Sequence, residues 1–94
     1  MAIRHRNLWL TLAEDDIDYR INITMASNRI KHGEFSSWHE LWAVLYEEFD
    51  ELWESIKKND IDPEELLQII AVAKAGLLQI CNDARKEMEN YTTK

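Results

Sequence analysis

The most regular pattern of apolar positions lies in the middle of the chain. Apolar side chains recur there at steps of three and four residues, at Trp38, Leu41, Trp42, Leu45, Phe49, Leu52, Trp53 and Ile56. This spacing places them on one face of a helix. Ser37 and Glu40 have the form of a capping box at its start, and Lys57 and Lys58 suit the negative end of a helix dipole. The pattern therefore predicts a helix over about residues 37–58.

A weaker apolar pattern precedes this helix. Its members lie four positions apart, at Ile17, Ile21 and Met25. The T-x-x-E at residues 11–14 has the form of a capping box, and Gly33 is a typical stop signal. We therefore predict a helix over about residues 12–31. The alternating β-branched residues in R-I-N-I-T, at residues 20–24, are also typical of a short strand, which is the alternative for that stretch.

The third apolar segment opens with a full set of helix start signals. Asp62 can act as the N-cap, Pro63 suits the first helical position, and acidic residues follow in the first turn. Apolar positions then go almost all the way round the helix as far as Cys81, with small residues between them, which implies close packing against several neighbours. From Asp83 the chain is polar, so we expect it to fray there, with residues 89–94 as a tail.

These three helices predict an all-α protein. The short link at residues 59–62 makes the second and third helices antiparallel neighbours, so the expected architecture is an antiparallel helical bundle. The chain has 94 residues, which leaves room for a single domain over residues 1–94 with a core over about 12–88. A domain this short buries only about 60% of its unfolded surface, so we expect oligomerisation to complete the bundle.

Charge and cysteine content exclude several functional classes. The formal net charge is −7, which disfavours direct DNA binding because that binding depends on cations that neutralise phosphates. The single Cys81 excludes an internal disulfide and a cysteine-based zinc site. No apolar run is long enough to span a membrane and the first residues lack a signal-peptide pattern, so we expect a cytoplasmic protein that does not bind membranes.

One cluster of acidic residues stands out on the second predicted helix. Five carboxylates fall within eight residues, at Glu47, Glu48, Asp50, Glu51 and Glu54. Glu48 and Glu51 are three residues apart and share a face beside the apolar stripe, where like charges are costly unless a cation lies between them. A hard divalent ion such as Mg²⁺ takes oxygen ligands of this kind. Glu65 and Gln68 share a face of the next helix and could complete the ligand set.

At these residues the sequence resembles a known family. E-E-F-D-E at residues 47–51, thirteen residues, and then E-L-L-Q at residues 65–68 resemble the E-E-x-x-E, spacer, E-x-x-D signature of the all-α nucleoside triphosphate pyrophosphohydrolases. The flanking run K-H-G-E-F-S-S-W-H-E-L-W-A-V-L-Y and the later E-E-L-L-Q-I-I-A-V-A are similar to short MazG-like proteins of bacteria and phages. The resemblance covers about residues 29–82.

This resemblance implies an activity and a set of site residues. Members of the family are helical bundles, usually dimeric or tetrameric, that use Mg²⁺ to split a nucleoside triphosphate into a monophosphate and pyrophosphate; Mn²⁺ is an alternative ion. The resemblance implies that Glu48, Glu51 and Glu65 are metal ligands and that Glu47 is a further ligand or orients the attacking water, so that Glu47 and Glu48 are the catalytic candidates. Gln68 stands where the signature has Asp, and its amide can offer a metal an oxygen but no charge. Candidates for binding the phosphates are Arg29, Lys31, His32 and Lys74.

Simpler interpretations of the same residues stay open. The acidic face could be solvated and paired with Lys57 and Lys58, and Glu65 could be the partner of Asp62 in a capping box. Lys74 either extends along apolar neighbours or points into the site. The Trp residues of the second helix are expected in the core or in a subunit interface, and Cys81 is expected in the core.

Two other functions compete with the hydrolase. The chain could be a helical adaptor or nucleotide sensor that kept the fold and lost the reaction, for which Gln68 is the motivation. It could also be a structural helical bundle with no ligand. Base and sugar preference depend on pocket shape and do not follow from the sequence.

Overall fold

Three long helices make up most of the chain. A computed structural model describes residues 2–92, and in that part the elements are, in chain order, β1 (Ala2–Ile3), α1 (Arg6–Leu10), α2 (Glu14–His32), α3 (Trp38–Lys57), β2 (Asp60–Ile61) and α4 (Pro63–Thr92). The all-α prediction is confirmed at this level, with two very short strands added. None of the helices within residues 2–92 has the length and apolar character that crossing a membrane requires.

Helix α2 begins two residues later than the sequence predicted. Ala13 is the N-cap in an extended conformation, and its backbone N–H donates to the carboxylate of Asp16 at 3.0 Å. The predicted cap at Thr11 is wrong, because the Thr11 hydroxyl donates instead to the carbonyl of Leu8 at 2.8 Å, at the end of α1. The strand alternative for residues 20–24 is also wrong, since the whole stretch is helical. Gly33 follows α2 with φ of 72°, a conformation that favours glycine.

Helix α3 has the start and the end that the sequence predicted. The Ser37 hydroxyl accepts a hydrogen bond from the backbone N–H of Glu40 at 3.1 Å, and the Glu40 carboxylate accepts one from the hydroxyl of Ser36. Glu40 is therefore a capping residue, as expected, although its side chain bonds Ser36 in place of the N-cap backbone. The helix ends at Lys57, and Lys58 follows as the C-cap.

Helix α4 starts as predicted but runs much further. The Asp62 carboxylate accepts a hydrogen bond from the N–H of Glu64 at 3.1 Å, which caps the first turn. The prediction that the chain frays from Asp83 is wrong, because α4 continues to Thr92. Residues 83–90 lack Gly and Pro and are mostly good helix formers, so local propensity maintains the helix after tertiary packing ends. Residues 93–94 of the predicted tail lie outside the described residues.

Helix α4 is the central element, with α2 packed along one side and α3 along another. Contacts between α3 and α4 run in opposite sequence directions, from the first turn of α4 against the end of α3 to Gly76 against Leu41, so the two helices are antiparallel as expected. A Cβ atom on Gly76 would lie 2.8 Å from Leu41 Cδ2, which shows how closely the helices approach. Helix α2 is also antiparallel to α4, since Asn22 contacts Lys74 and Asn28 contacts Gln68.

The first residues of the chain are held against the turn between α3 and α4, which the sequence did not predict. Strand β1 pairs in parallel with β2, with Ala2 opposite Asp60 and Ile3 opposite Ile61. The Arg4 guanidinium donates to the carboxylates of Asp60 and Asp62, at 3.3 and 3.2 Å. Asp62 thus caps α4 with one oxygen and binds Arg4 with the other.

The core of the single chain is small and lies where α4 meets its neighbours. Its buried apolar residues are Ile21, Leu67, Ala71 and Val72. The predicted core role of Trp38, Trp42 and Trp53 is wrong for the single chain, because all three side chains are about half exposed or more. Their alternative role, at a subunit interface, stays a prediction. Cys81 is only partly buried.

Candidate metal centre and adjoining cavity

Three carboxylates from two helices converge near the turn that joins α3 to α4. One oxygen each from Glu48, Glu51 and Glu65 lie within 4.8 Å of one another. Glu48 and Glu51 are one turn apart on the same face of α3, and the short turn returns the chain so that the first turn of α4 brings Glu65 opposite them. The arrangement is the one that the acidic pattern predicted for these three residues.

Glu48 carries an unsatisfied polar atom in this cluster. Its Oε2 atom is buried and has no hydrogen-bond partner among residues 2–92. Burial raises the pKa of the Glu48 carboxyl above its usual value, and the negative charges of Glu51 and Glu47 raise it further. A buried oxygen without a partner is costly, so this position favours a bound proton or a cation.

The pKa of Glu65 is raised more strongly than that of Glu48. Burial is the largest cause and a hydrogen bond with Glu51 is the next, and together with nearby negative charges they raise the pKa of Glu65 from 4.5 to about 7. Those charges are the carboxylates of Glu51, Asp62 and Glu48. At neutral pH about half of the molecules therefore keep a proton on this side chain. Such a group sits among like charges that a divalent cation would neutralise.

The donor set fits a hard divalent cation. All three groups offer carboxylate oxygens, which Mg²⁺ and Mn²⁺ prefer, and the cluster spans two helices that the short turn holds together. The buried Oε2 atom of Glu48 has no hydrogen-bond partner within residues 2–92, so one oxygen of the cluster is left unsatisfied. The cluster of three is also small enough to leave coordination positions for water or phosphate oxygens.

A cavity of about 360 Å³ adjoins this centre. It lies between α2, α3 and α4, under the linker that follows Gly33, and both Glu47 and Glu48 contribute to its wall. Arg29 and His32 line it from α2, as two of the predicted phosphate-binding residues, and Phe35 lines it from the linker. The cavity therefore combines carboxylates, a guanidinium group and an aromatic ring around one space.

The structure separates the other two phosphate candidates from the cavity. Lys31 is exposed on α2 and does not line it. The Lys74 Nζ atom donates to the Asn22 side chain at 2.6 Å on the side of α4 that faces α2. The sequence left two roles open for Lys74, which were to extend along apolar neighbours or to point into the site. Its hydrogen bond to α2 is a third role that the sequence pattern did not predict.

Gln68 lines the cavity, but its carbonyl oxygen already has a partner. The Asn28 amide donates to Gln68 Oε1 at 3.2 Å. This oxygen is the atom that the sequence predicted as a metal ligand, and the bond from Asn28 leaves it one lone pair for that role. Gln68 is thus positioned at the cavity wall, one turn after Glu65, and its contact is to α2.

Two polar residues of the cavity were missed in the sequence. The buried Gln79 side chain accepts from the N–H of Phe35 at 3.0 Å and donates to the carbonyl of Phe35 at 2.7 Å, which ties the linker to α4. The sequence does contain an indication for Gln79, because it is a polar residue within an apolar stretch of helix. A buried polar side chain there needs a hydrogen-bond partner. Asn28 had no comparable signal.

No family model matches the chain, and no curated protein or solved structure matches it either. Functional inference for this chain therefore depends on the carboxylate cluster and the cavity beside it.

Proposed function

We propose that the protein is a divalent-cation-dependent hydrolase that converts a nucleoside triphosphate into a nucleoside monophosphate and pyrophosphate. The observation that carries the proposal is the convergence of Glu48, Glu51 and Glu65 within 4.8 Å, beside a cavity of about 360 Å³ whose wall includes Glu48. A triphosphate needs such a centre because its own negative charge must be neutralised before a nucleophile can approach. The resemblance of residues 47–51 and 65–68 to the pyrophosphohydrolase signature favours the same reaction.

In this proposal the cluster holds Mg²⁺, or Mn²⁺ in its place. A bound divalent cation supplies charge neutralisation of the phosphates and stabilises the leaving pyrophosphate. Glu47, in the cavity wall next to Glu48, orients a water molecule and accepts its proton as the water oxygen bonds to the α-phosphorus. The bond from that phosphorus to the bridging oxygen breaks, and the electron pair leaves with pyrophosphate. Arg29 is the cation in the cavity wall that can bind phosphate oxygens.

The fold and assembly that the resemblance implies belong to the same proposal. The three long helices form a MazG-like antiparallel bundle, and a homodimer or homotetramer completes it. The small core of the single chain supports this part, because only four apolar side chains are buried among the described residues.

Pyrophosphate release tests the activity directly. The folded protein is incubated with a panel of ribo- and deoxyribonucleoside triphosphates and Mg²⁺ or Mn²⁺, and pyrophosphate is separated from orthophosphate. We expect pyrophosphate and monophosphate in equal amounts from at least one substrate. Glu48→Gln should abolish the release, whereas Asp50→Asn, an equal loss of charge at an exposed position of α3, should retain it. No turnover of any substrate by the folded protein refutes the proposal.

A second candidate is a nucleotide sensor that binds without hydrolysis. Gln68 favours it, because the signature position for an acidic ligand holds a neutral side chain, which already accepts a hydrogen bond from Asn28. Calorimetry separates the two candidates, since a sensor binds a nucleotide in the presence of Mg²⁺ and leaves it intact. Turnover that appears only in Gln68→Asp would identify a sensor derived from an enzyme.

A further inference from the structure

The side of α3 that faces away from the cavity carries a row of exposed aromatic side chains. Its members are Trp38, Trp42, Tyr46, Phe49 and Trp53, all at least 46% exposed. At about 100° per residue, Phe49 and Glu51 lie roughly 160° apart around the helix, so the aromatic row and the carboxylates are on opposite flanks. One charged group lies at the edge of this row, since the Lys57 Nζ atom is 5.8 Å from the centroid of the Trp53 ring.

Helix α4 carries a matching row beside it. Leu66, Ile70, Ala73, Leu77 and Ile80 follow one another at steps of four and three residues, the repeat by which helices pair along a seam. The four large residues of this row are all at least 44% exposed. Leu77 lies about 180° around α4 from Gln68, which faces the cavity. Because α3 and α4 are antiparallel neighbours, the two rows form one continuous apolar face on the side away from α2.

The chain exposes more surface than a compact monomer of its size, and the surplus is enough area for an interface on this face. A compact monomer of 11.2 kDa exposes about 5,700 Å², whereas this chain exposes 7236 Å². Its radius of gyration is 16.4 Å, where a compact domain of this length has about 12 Å. The surplus of about 1,500 Å² exceeds the roughly 800 Å² that each partner buries in a stable interface.

We infer that the α3–α4 face binds the same face of a second copy of this chain. A two-fold related pair places two copies of α3 and two of α4 around one apolar interior, and a self-complementary face needs no other partner. The low charge of the face favours this occupant, because two copies of a highly charged face would repel each other, whereas two copies of this face bury mainly apolar and aromatic surface, with Lys57 at one edge. The inference assigns a surface to the homo-oligomer of the proposed function and leaves the cavity and the three glutamates open to solvent on the other side.

Mass and tryptophan fluorescence test the interface together. Sedimentation equilibrium between about 1 and 100 µM should give twice the chain mass of 11.2 kDa, or a higher multiple. Three of the four Trp residues lie in the face, and Trp9 lies outside it on α1. Association should therefore shift the emission to shorter wavelength and protect it from a soluble quencher. A chain that stays at 11.2 kDa, or one that associates with no change in emission or quenching, overturns the inference.

Variants locate the interface. Trp42→Glu should give a monomer, whereas Ile30→Glu, at an exposed apolar position of α2 outside the face, should keep the wild-type mass. Trp42→Ala adds no charge and should raise the dissociation constant at least about thirtyfold, as truncation of a buried interface aromatic does. If Trp42→Glu loses its helical circular dichroism, Trp42→Ala and the wild-type fluorescence decide the outcome. An unchanged mass for both Trp42 variants overturns the inference.

The test of the interface does not depend on whether the protein hydrolyses nucleotides. An oligomer through this face that releases no pyrophosphate refutes the hydrolase and supports the interface. A monomer that turns over nucleotide refutes the interface and supports the hydrolase.

Discussion

Binding of a divalent cation at the three glutamates should release a proton, and the proton should come from Glu65. Burial and the neighbouring carboxylates raise the pKa of Glu65 from 4.5 to about 7. A metal ion binds the ionised form of a carboxylate, so the proton must leave when the ion enters. The perturbation in this experiment is the addition of Mn²⁺ or Mg²⁺ at a series of pH values.

The number of protons released on binding follows from the fraction of Glu65 that is protonated before the ion binds. With a pKa of about 7, binding releases about 0.9 proton at pH 6, about 0.5 at pH 7 and about 0.1 at pH 8. The apparent affinity for the ion rises about tenfold between pH 6 and pH 8, because the ionised fraction rises by that factor.

The same pKa predicts how the stability of the metal-free protein depends on pH. The folded-state pKa lies above the unfolded value, so the protonated carboxyl favours the folded state below pH 4.5, and this contribution is lost as the pH rises through about 7. The full displacement corresponds to about 3 kcal/mol, which partial exposure to solvent reduces to about 1–2 kcal/mol. Saturating Mn²⁺ should remove the loss, because the cation neutralises the carboxylates.

Isothermal titration calorimetry in buffers of different ionisation enthalpy measures the released protons. Glu65→Gln removes the group whose pKa is raised to about 7, so any binding that it retains should release fewer protons near pH 7 than wild type, and those come from Glu48, whose pKa is also raised. Asp50→Asn is the matched control, since it removes an exposed carboxylate from α3 outside the cluster. Tight binding with no proton release at pH 6, or an equal release by wild type and Glu65→Gln, would refute the assignment of the proton and the role of the cluster.

Three further predictions concern stability. Glu48→Gln should raise the thermal midpoint of the metal-free protein at pH 7 by about 2–5 °C, because an amide can donate to the carboxylates that a buried charge repels; a lower midpoint would contradict the electrostatic argument. Gln79→Ala removes both hydrogen bonds to the Phe35 backbone and should cost about 1–3 kcal/mol in denaturant unfolding, and an unchanged free energy would show that water replaces them. Gly33→Ala should cost about 1–3 kcal/mol through its positive φ alone, because the added Cβ meets no atom within 4 Å; a neutral result would mean that the linker relaxes.

The sequence predicted the helix starts correctly where capping residues mark them. The start of α3 follows from Ser37 and Glu40, and the start of α4 from Asp62 and Pro63, because capping depends on residues within one turn. The start of α2 was misplaced because two acceptable caps, Thr11 and Ala13 with Asp16, compete within a few residues. The long end of α4 was not predicted, because a polar segment carries no apolar pattern to indicate a packed helix, whereas its residues favour the helix by their own propensity.

The carboxylate centre was predictable for a related reason. Glu48 and Glu51 share a face of one helix whatever the fold, and the short turn before α4 places Glu65 near the end of α3, while the rotation of α4 that turns Glu65 towards them is seen only in the structure. The raised pKa of Glu65 was not predictable, since it depends on how deeply the side chain is buried. The partner of Gln68 was not predictable either, because it comes from the separate helix α2.

Helix type, helix order and the shared face of Glu48 and Glu51 therefore follow from the chain alone, because they depend on contacts within a few residues. The rotation of each helix about its axis does not, because it is set by packing between residues far apart in sequence. That rotation leaves Trp42 exposed in the single chain, and it places Gln79 next to Phe35 and Gln68 next to Asn28. Three-dimensional packing therefore decides which side chains face the cavity and which are left for a partner.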